Sequence, residues 1–423
     1  MLSLKFISEK PELIVSRLKI KNFDAKDLVK QLTDLDALRR KLKSELDTSQ
    51  SVVNKLSREI GQYYQQGKKE DAEMARKQTA TLKEDIKELA PRLGEIEENI
   101  QELLVQLPNI PHDTVPPGRA AEDNLIVREG GQMPVLNKDA LPHWDLARKY
   151  DIIDFELGVK ITGSGFPLYK GKGAKLQRAL INLFLDTAVE SGYTEVMPPI
   201  AVNEASAFGT GQLPDKEGQM YHVTADNLYL IPTAEVPLTN IFRGEILSLK
   251  DLPRMLTAYT PCFRREAGSY GKDVKGLNRL HQFDKVEIVE IQHPDRSYES
   301  LERMTRYVEK LVTRLQLPYR IILLCGGDMS FHSSKTYDFE VFSAAQNRWL
   351  EVSSVSNFES FQSHRMMLRY REVDGKLYPA HTLNGSALAL PRIMAALLEN
   401  NQVEDGIKIP PALVSYSGFE MIS

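Results

Sequence analysis

Four short segments gather the side chains that could do chemistry. Residues 262–290, CFRREAGSYGKDVKGLNRLHQFDKVEIVE, begin as a strand-like run, pass through a polar loop with glycines and cations, and return as a strand. Arg264, Arg265 and Glu266 stand at the base, Lys272, Lys275 and Arg279 in the loop, and Phe283 and Glu287 on the returning strand. A guanidinium fixed at a hairpin base can clamp a phosphate through two parallel N–H bonds, and a nearby aromatic can stack on a base. The same stretch reads equally as a solvated charged hairpin. Residues 381–402, HTLNGSALALPRIMAALLENNQ, set Thr382, Asn384 and Ser386 before an apolar helix carrying Arg392. An arginine on the inner face of such a helix is costly unless it is paired or used; the plainer reading is a helix N-terminus with Arg392 at its solvent edge. IPTAEVPLTN (231–240) puts Thr233 and Glu235 on one face of an extended run, which alone reads as a half-buried strand. WLEVSSVSNF (349–358) presents Glu351, Ser353 and Val355 in alternation, and a carboxylate beside a hydroxyl can hold Mg2+ through oxygen ligands.

Other chemistries are excluded by what the chain lacks. Neither GxxxxGK[ST] nor GxGxxG occurs, so a P-loop or a dinucleotide fold is not supported. The eight histidines have no metal-ligand spacing with one another or with the two cysteines, Cys262 and Cys325, so no zinc is expected. Two cysteines build no disulfide framework and fit a reducing cytoplasm.

These segments need a scaffold, and the chain's texture changes once along its length. Between residues 26 and 107 apolar residues recur with helical spacing, first at Leu28, Leu32, Leu35, Leu38, Leu42, Leu46, Val53, Leu56, Ile60 and Tyr63. From Ala75 through Thr79, Leu82, Ile86, Leu89, Leu93, Ile96, Ile100, Leu103 and Leu107 the steps alternate four and three, a heptad seam. The polar stretch from Gln65 to Lys69 separates the halves, which predicts an antiparallel hairpin with an arm of about 55 Å. Pro91 falls between the seam positions Leu89 and Leu93, facing outward, and predicts a kink. Pro108, Pro111, Pro116, Pro117 and Gly118 then mark a linker. Beyond it, β-like runs interleave with amphipathic helices, as in an antiparallel sheet of an α+β domain. The expected division is an N-terminal domain over 1–110 and a catalytic domain over 111–423.

With 423 residues, 42% hydrophobic and 26% charged, the chain is too long for one small core and too apolar for wholesale disorder. No run is long and apolar enough to span a membrane, and no secretory signal is expected. The net charge of −4 argues against a broad basic surface. Residues 55–92 nevertheless hold nine cations against seven anions, while 93–107 hold four anions and no cation, so positive charge leans toward the tip of the arm.

Together, TAEVPL, FRREAGSYGKDVKGLNRLHQFDKVE, EVSSVSNF and HTLNGSALALPR, in this order and behind a helical hairpin, resemble the bacterial seryl-tRNA synthetases of the class II family. The resemblance runs nearly end to end. Residues 192–202 (GYTEVMPPIAV) resemble class II motif 1, 262–290 motif 2 and 381–400 motif 3. It implies an N-terminal coiled-coil arm that binds tRNA, followed by a class II catalytic domain on an antiparallel sheet flanked by helices. It implies a cytoplasmic, homodimeric enzyme that activates L-serine with ATP and Mg2+ and transfers it to tRNA(Ser), and to tRNA(Sec). By the same resemblance Arg264, with Glu351 and Arg392, is catalytic, Arg264 binding the α-phosphate and the serine carboxylate. Arg265, Glu266, Leu280, Val352 and Ser353 join the ATP site. Glu266 reads the adenine edge, and Phe283 and Arg392 sandwich the ring. Glu351 and Ser354 hold Mg2+. Thr233, Ala234, Glu235, Glu287, Asn384 and Ser386 form the serine pocket, and the loop from Ser269 to Arg279 reaches the tRNA acceptor end. The chain departs from the family pattern at Gly165, at Ser330, His332, Ser333 and Ser334, and at Ser363-His364. Of these, His332 reads as a core-edge residue rather than a base. Two other classes compete: a catalytically inactive synthetase-like binding protein, against which the retained charged residues argue, and an amino acid:carrier-protein ligase, which would lack the arm.

Overall fold

In the computed structural model, which describes residues 1–136, 138–266 and 275–423, the helical repeat forms two long helices. These are α1 (Lys26–Gln65, 40 residues) and α2 (Lys69–Leu104, 36 residues). Only three residues reverse the chain between them, and Gly67 takes φ +76° there, a conformation that suits glycine. Ala75, Thr79, Ile96 and Ile100 of the predicted seam are buried, and Leu82, Ile86, Leu89 and Leu93 are half-buried, the degree two helices alone can give one another. Pro91 is exposed, as its position between seam residues requires. Leu38 leaves the seam and is 40% exposed. Its neighbour Asp36 is buried instead and accepts bonds from Ser8 (2.9 Å), Arg39 (2.8 Å) and Arg40. Burial pushes that carboxyl up, but the hydrogen bonds outweigh it and hold it below its ordinary value. Two short helices, Leu4–Glu9 and Pro11–Leu18, complete this unit, which comprises residues 1–19 and 23–108.

The second unit, residues 20–22 and 109–423, is built on an eight-stranded sheet. Its strands are β1 (Leu125–Gly130), β2 (Thr194–Glu195), β3 (Arg254–Phe263), β4 (Gln282–Gln292), β5 (Tyr319–Leu323), β6 (Lys335–Ser343), β7 (Arg348–Glu359) and β8 (His381–Ala389). They lie in the order β1-β5-β6-β7-β8-β4-β3-β2. Every pair is antiparallel except β2 with β3, at the edge. The helices are α3 (Gly171–Glu190), α4 (Glu235–Asn240), α5 (Ser297–Arg314) and α6 (Leu390–Asn400). On one face α3, α5 and α6 cover the sheet, burying Phe184, Leu311 and Met394 against Val286, Ile288, Phe339 and Val355. On the other, Ala234 and Leu238 pack on Val289 and Ile291.

One local expectation is corrected. IPTAEVPLTN is not a strand: Glu235–Asn240 is a six-residue helix whose first five residues are buried. Thr233 Oγ1 accepts the N–H of Glu235 at 3.2 Å, a helix-start bond, and Pro237 sits in the first turn, where its missing N–H costs nothing. No helix among the described residues is long and apolar enough to cross a membrane.

Candidate active site

The four segments line one cleft of about 630 Å³. Along β4, Phe283, Lys285 and Glu287 alternate with the core residues Val286 and Ile288, so the first three share the opposite face. Asn384 and Ser386 lie next to them on β8, where Ser386 opposes Glu287.

One end of the cleft is acidic. Glu287 has no exposed surface and stands behind the wall rather than on it. Its Oε2 accepts from Thr233 Oγ1 (3.1 Å) and pairs with Lys285 Nζ (2.5 Å), and its Oε1 accepts from Asn384 Nδ2 (3.1 Å). Glu235, 3% exposed, does line the cleft, and its Oε1 accepts from Gln362 Nε2 at 2.6 Å. Gln362 is itself fixed, because its Oε1 accepts from Thr382 Oγ1 at 2.6 Å and its Nε2 also reaches the Thr210 carbonyl at 3.1 Å. Burial first, then the Glu287 charge, push the Glu235 carboxyl up to about 7, although Gln362, Lys285 and Arg264 oppose the rise. Two carboxylates close to one ammonium suit a ligand that brings a second cation and hydroxyl donors.

Arg264 occupies the middle. Its N–H donates to the His281 carbonyl (2.9 Å), which ties the end of β3 to the start of β4, and its Cζ lies 5.2 Å from the centre of the Phe283 ring. At the far end Glu266 is ion-paired to Arg279, and Leu280 and Val352 add apolar lining. Arg392 is anchored twice, Nε on the Asn278 carbonyl (3.0 Å) and Nη1 on the Glu351 carbonyl (2.7 Å), with its guanidinium 3.9 Å from the Glu351 carboxylate. It is paired, which answers the cost of an inward-facing arginine.

The Glu351 segment departs from simple alternation. Glu340 opposes Glu351, but Phe339 opposes Ser353 and Asp338 opposes Ser354, so β7 carries one extra residue there, a β-bulge. Glu351 and Ser354 thereby come to one face, whereas alternation had joined Glu351 to Ser353. The Ser353 hydroxyl is taken up by the Ser386 carbonyl at 2.6 Å. Opposite Ser354 on β6 stands Asp338, which also lines the cleft; its buried Oδ1 has no hydrogen-bond partner. Burial, and then the Glu351 charge, push its carboxyl well above the ordinary range. An all-oxygen set of Glu351 and Ser354 with an unpartnered carboxyl oxygen beside it fits a hard divalent cation that shares further ligands with phosphates. Among the described residues no group of three or more His, Cys, Asp or Glu side chains is arranged to hold a metal by itself.

Besides Glu287, two expected residues do not reach the cleft. Ala234 is buried in the apolar cluster beneath α4, and the exposed Arg265 is held by its N–H on the Gln219 carbonyl (2.9 Å). Lys272 and the loop from Ser269 to Val274 lie outside the described residues. His332 lines the cleft, stacked on Phe358 with ring centres 5.1 Å apart. Burial, helped by the Lys21 and Arg365 charges, pulls it down to about 3, so it stays neutral. At Gly165, a departure from the family pattern, a Cβ would stand 2.3 Å from His281 Cδ2 and φ is +81°, so no side chain fits there. Sequence reasoning missed Lys285, Gln362 and Asp338. The spacing Phe283-x-Lys285-x-Glu287 marks Lys285 and the run Thr336-x-Asp338-x-Glu340 marks Asp338, but nothing local marks Gln362.

Comparison with known proteins supplies the frame. Residues 1–111 match the family model of the seryl-tRNA synthetase N-terminal domain, and residues 221–401 match the class II tRNA synthetase core domain (G, H, P, S and T). A serine–tRNA ligase of Salinibacter ruber is 52% identical, covering 100% of this chain and 99% of its own. One of Kosmotoga olearia is 46% identical, covering 100% of each. Among solved structures, a Pyrococcus horikoshii seryl-tRNA synthetase complexed with ATP has a TM-score of 0.92 at 35% identity, covering 100% of this chain and 99% of that one. A cytoplasmic serine–tRNA ligase of Naegleria fowleri in complex with AMP has 0.88 at 25%, with the same coverage.

Proposed function

The chain belongs to the seryl-tRNA synthetase family, and on that premise we propose how its cleft divides the work of a serine–tRNA ligase. The enzyme activates L-serine with ATP to seryl-adenylate and transfers the seryl group to tRNA(Ser). One observation carries the residue assignment: Arg264 stands between an acidic pocket and an aromatic, arginine-bearing one. Serine enters the acidic end, its ammonium against Glu235 and its hydroxyl toward Thr233, Asn384 and Ser386. Glu287, from behind, holds Thr233 and Asn384 in place. ATP takes the other end, the adenine on Phe283 and beneath Arg392, with Glu266 at its edge.

The serine carboxylate attacks the α-phosphorus, the bond to the β-phosphate breaks, and pyrophosphate leaves. Arg264 spans both reactants, neutralising charge that builds on the α-phosphate while orienting the attacking carboxylate. No protein base is required, because the nucleophile is already an anion, and His332, pulled down to about 3, is too weak a base to serve as one. Glu351 and Ser354, with Asp338 beside them, would hold Mg2+. When bound, the ion supplies charge neutralisation on the ATP phosphates. In the second step the 3′-OH of the terminal adenosine takes the seryl group and AMP leaves. The domain over residues 1–110 binds tRNA through its arm, by shape and backbone, and the catalytic domain spans 111–423. The enzyme also serves tRNA(Sec), acts in the cytoplasm, and works as a homodimer through the segment from Gly192 to Val202. The dimer reading is supported by Met197, 90% exposed beside the edge strand β2.

The deciding experiment is ATP–pyrophosphate exchange with serine, threonine, alanine and glycine in parallel. Exchange should follow serine, with alanine rejected by about 10⁴-fold because it leaves the pocket's polar groups unpaired. An enzyme that folds but shows no serine-dependent exchange overturns the reading. Deleting residues 30–104 should spare exchange and abolish tRNA charging; surviving charging would refute the role of the arm.

A further inference from the structure

Behind the nucleotide end lies a buried polar cluster that none of these roles uses. His143 and Glu399 have no exposed surface. His143 Nδ1 lies 2.7 Å from Glu399 Oε1, which also accepts the His143 main-chain N–H at 3.0 Å. On the far side of the ring, Nε2 accepts the main-chain N–H of Leu277 at 2.8 Å. An N–H aimed at Nε2 needs a lone pair there, so the ring proton resides on Nδ1 and faces the carboxylate. The other Glu399 oxygen accepts from the Ser343 hydroxyl, and Gln346 Nε2 donates to Oε1 at 3.0 Å. Gln346 in turn accepts from Asn278 Nδ2 at 2.9 Å. The cluster therefore ends on two successive residues of the 262–290 segment, on Leu277 through His143 and on Asn278 through Gln346.

The contact with that segment is tight. Gly276 has φ +66°, and a Cβ on it would stand 2.2 Å from His143 Nε2, so the main chain is pressed against the imidazole. The following residue is held from the other end of α6, where Arg392 Nε meets the Asn278 carbonyl. Arg392 and Glu399 are seven residues apart, two helical turns, and share one face of α6. One helix thus grips two successive residues of the loop: the Leu277 N–H through His143, and the Asn278 carbonyl through Arg392. Immediately downstream come Arg279, which pairs with Glu266, then Leu280 and Phe283, all in the cleft lining.

We propose that His143 and Glu399 are positioning residues for the nucleotide, setting the height of residues 277–280 and, through the Asn278 carbonyl, the aim of Arg392. This rests on the reading that this end of the cleft takes ATP. Neither residue touches ATP, so the effect must travel through main chain and appear in the binding of ATP rather than of serine.

The test is ATP–pyrophosphate exchange on the full-length enzyme, with the KM for ATP and for serine measured separately. His143→Leu leaves the Leu277 N–H without its acceptor in a dry site, takes the ring donor from Glu399 Oε1, and should raise the KM for ATP about tenfold or more. The KM for serine should stay within about twofold, since the acidic pocket is untouched. His143→Gln can present an N–H to Glu399 and an oxygen to Leu277, so it should recover most of the loss. Amide hydrogen exchange over residues 276–280 should quicken in His143→Leu and not in His143→Gln. If His143→Leu fails to fold, Gln346→Ala carries the test, with an expected rise in the KM for ATP of about threefold. Equal changes in both KM values, an unmoved KM for ATP, or no difference between the Leu and Gln variants overturns the proposal. A wild-type enzyme without serine-dependent exchange would instead overturn the assignment of the reaction.

Discussion

The serine pocket should respond to pH in the range where most binding sites for a zwitterion do not. Glu235 is buried beside the Glu287 charge, and its carboxyl is pushed up to about 7. If the serine ammonium needs the ionised form, the competent fraction of free enzyme is about one tenth at pH 6 and about nine tenths at pH 8. The KM for serine should therefore rise about tenfold from pH 8 to pH 6, while the KM for ATP stays nearly level. The linked effect on stability has the opposite sign. Because the folded state holds the proton more tightly than the unfolded chain, the penalty is absent below the ordinary carboxyl value, grows on the way to pH 7, and is complete above it. Raising a carboxyl from 4.5 to about 7 costs the folded protein about 3 kcal/mol at pH 8. Glu235→Gln should remove that cost, so the variant should be more stable than wild type at pH 8, match it near pH 4, and lose serine-dependent exchange. The assays are exchange at pH 6, 7 and 8 with each substrate varied, and denaturant unfolding of both proteins at pH 4 and 8. A serine KM that is flat from pH 6 to 8, or a variant no more stable at pH 8 than at pH 4 relative to wild type, would refute the reasoning.

Other perturbations separate the parts of the cleft. Phe283→Leu removes the ring that faces Arg264 and should raise the KM for ATP about tenfold with serine little changed, measured in the same exchange assay. Gln362→Leu deletes the donor to Glu235 and should raise the KM for serine about fivefold and move its pH dependence upward, a shift that a purely structural lesion would not produce. Gly173→Ala would drive a Cβ to 2.2 Å from the Ile152 carbonyl oxygen, and should lower unfolding stability by about 2 kcal/mol in denaturant titration without altering either KM.

The arm was legible because a seam repeats: from Ala75 to Leu107 each apolar residue restates the same phase, and its one weak point, Leu38, lies in the irregular first half. The hairpin at residues 262–290 was legible as well, since its strands are neighbours in sequence and form β3 and β4. Residues 231–240 misled for a physical reason. A helix of six residues buried on all sides shows no polar face, so periodicity cannot tell it from a buried strand. The start signal was present in Thr233 and Pro237. The chemistry was readable from the resemblance of four motifs rather than from any one of them. What stayed hidden joins residues far apart in the chain: Gln362 meets Glu235 across 127 positions, and His143 meets Glu399 across 256. Neither has a local pattern, because each partner sits in a segment whose composition is satisfied without the other.

The bulge in β7 makes that strand sensitive to count rather than to composition. Glu351 and Ser354 share a face only because one additional residue lies between the paired positions. If β7 paired straight through this stretch at its present length, every residue on one side of it would change face, a frameshift confined to one strand. Strict alternation would then turn the Ser354 hydroxyl toward the core. The serines of the Ser353-Ser354 pair are chemically identical, yet they are not interchangeable, since one is spoken for by the Ser386 carbonyl and the other is aimed at Asp338. In this strand the molecule stores information in length, and a substitution scan that preserves length would never read it.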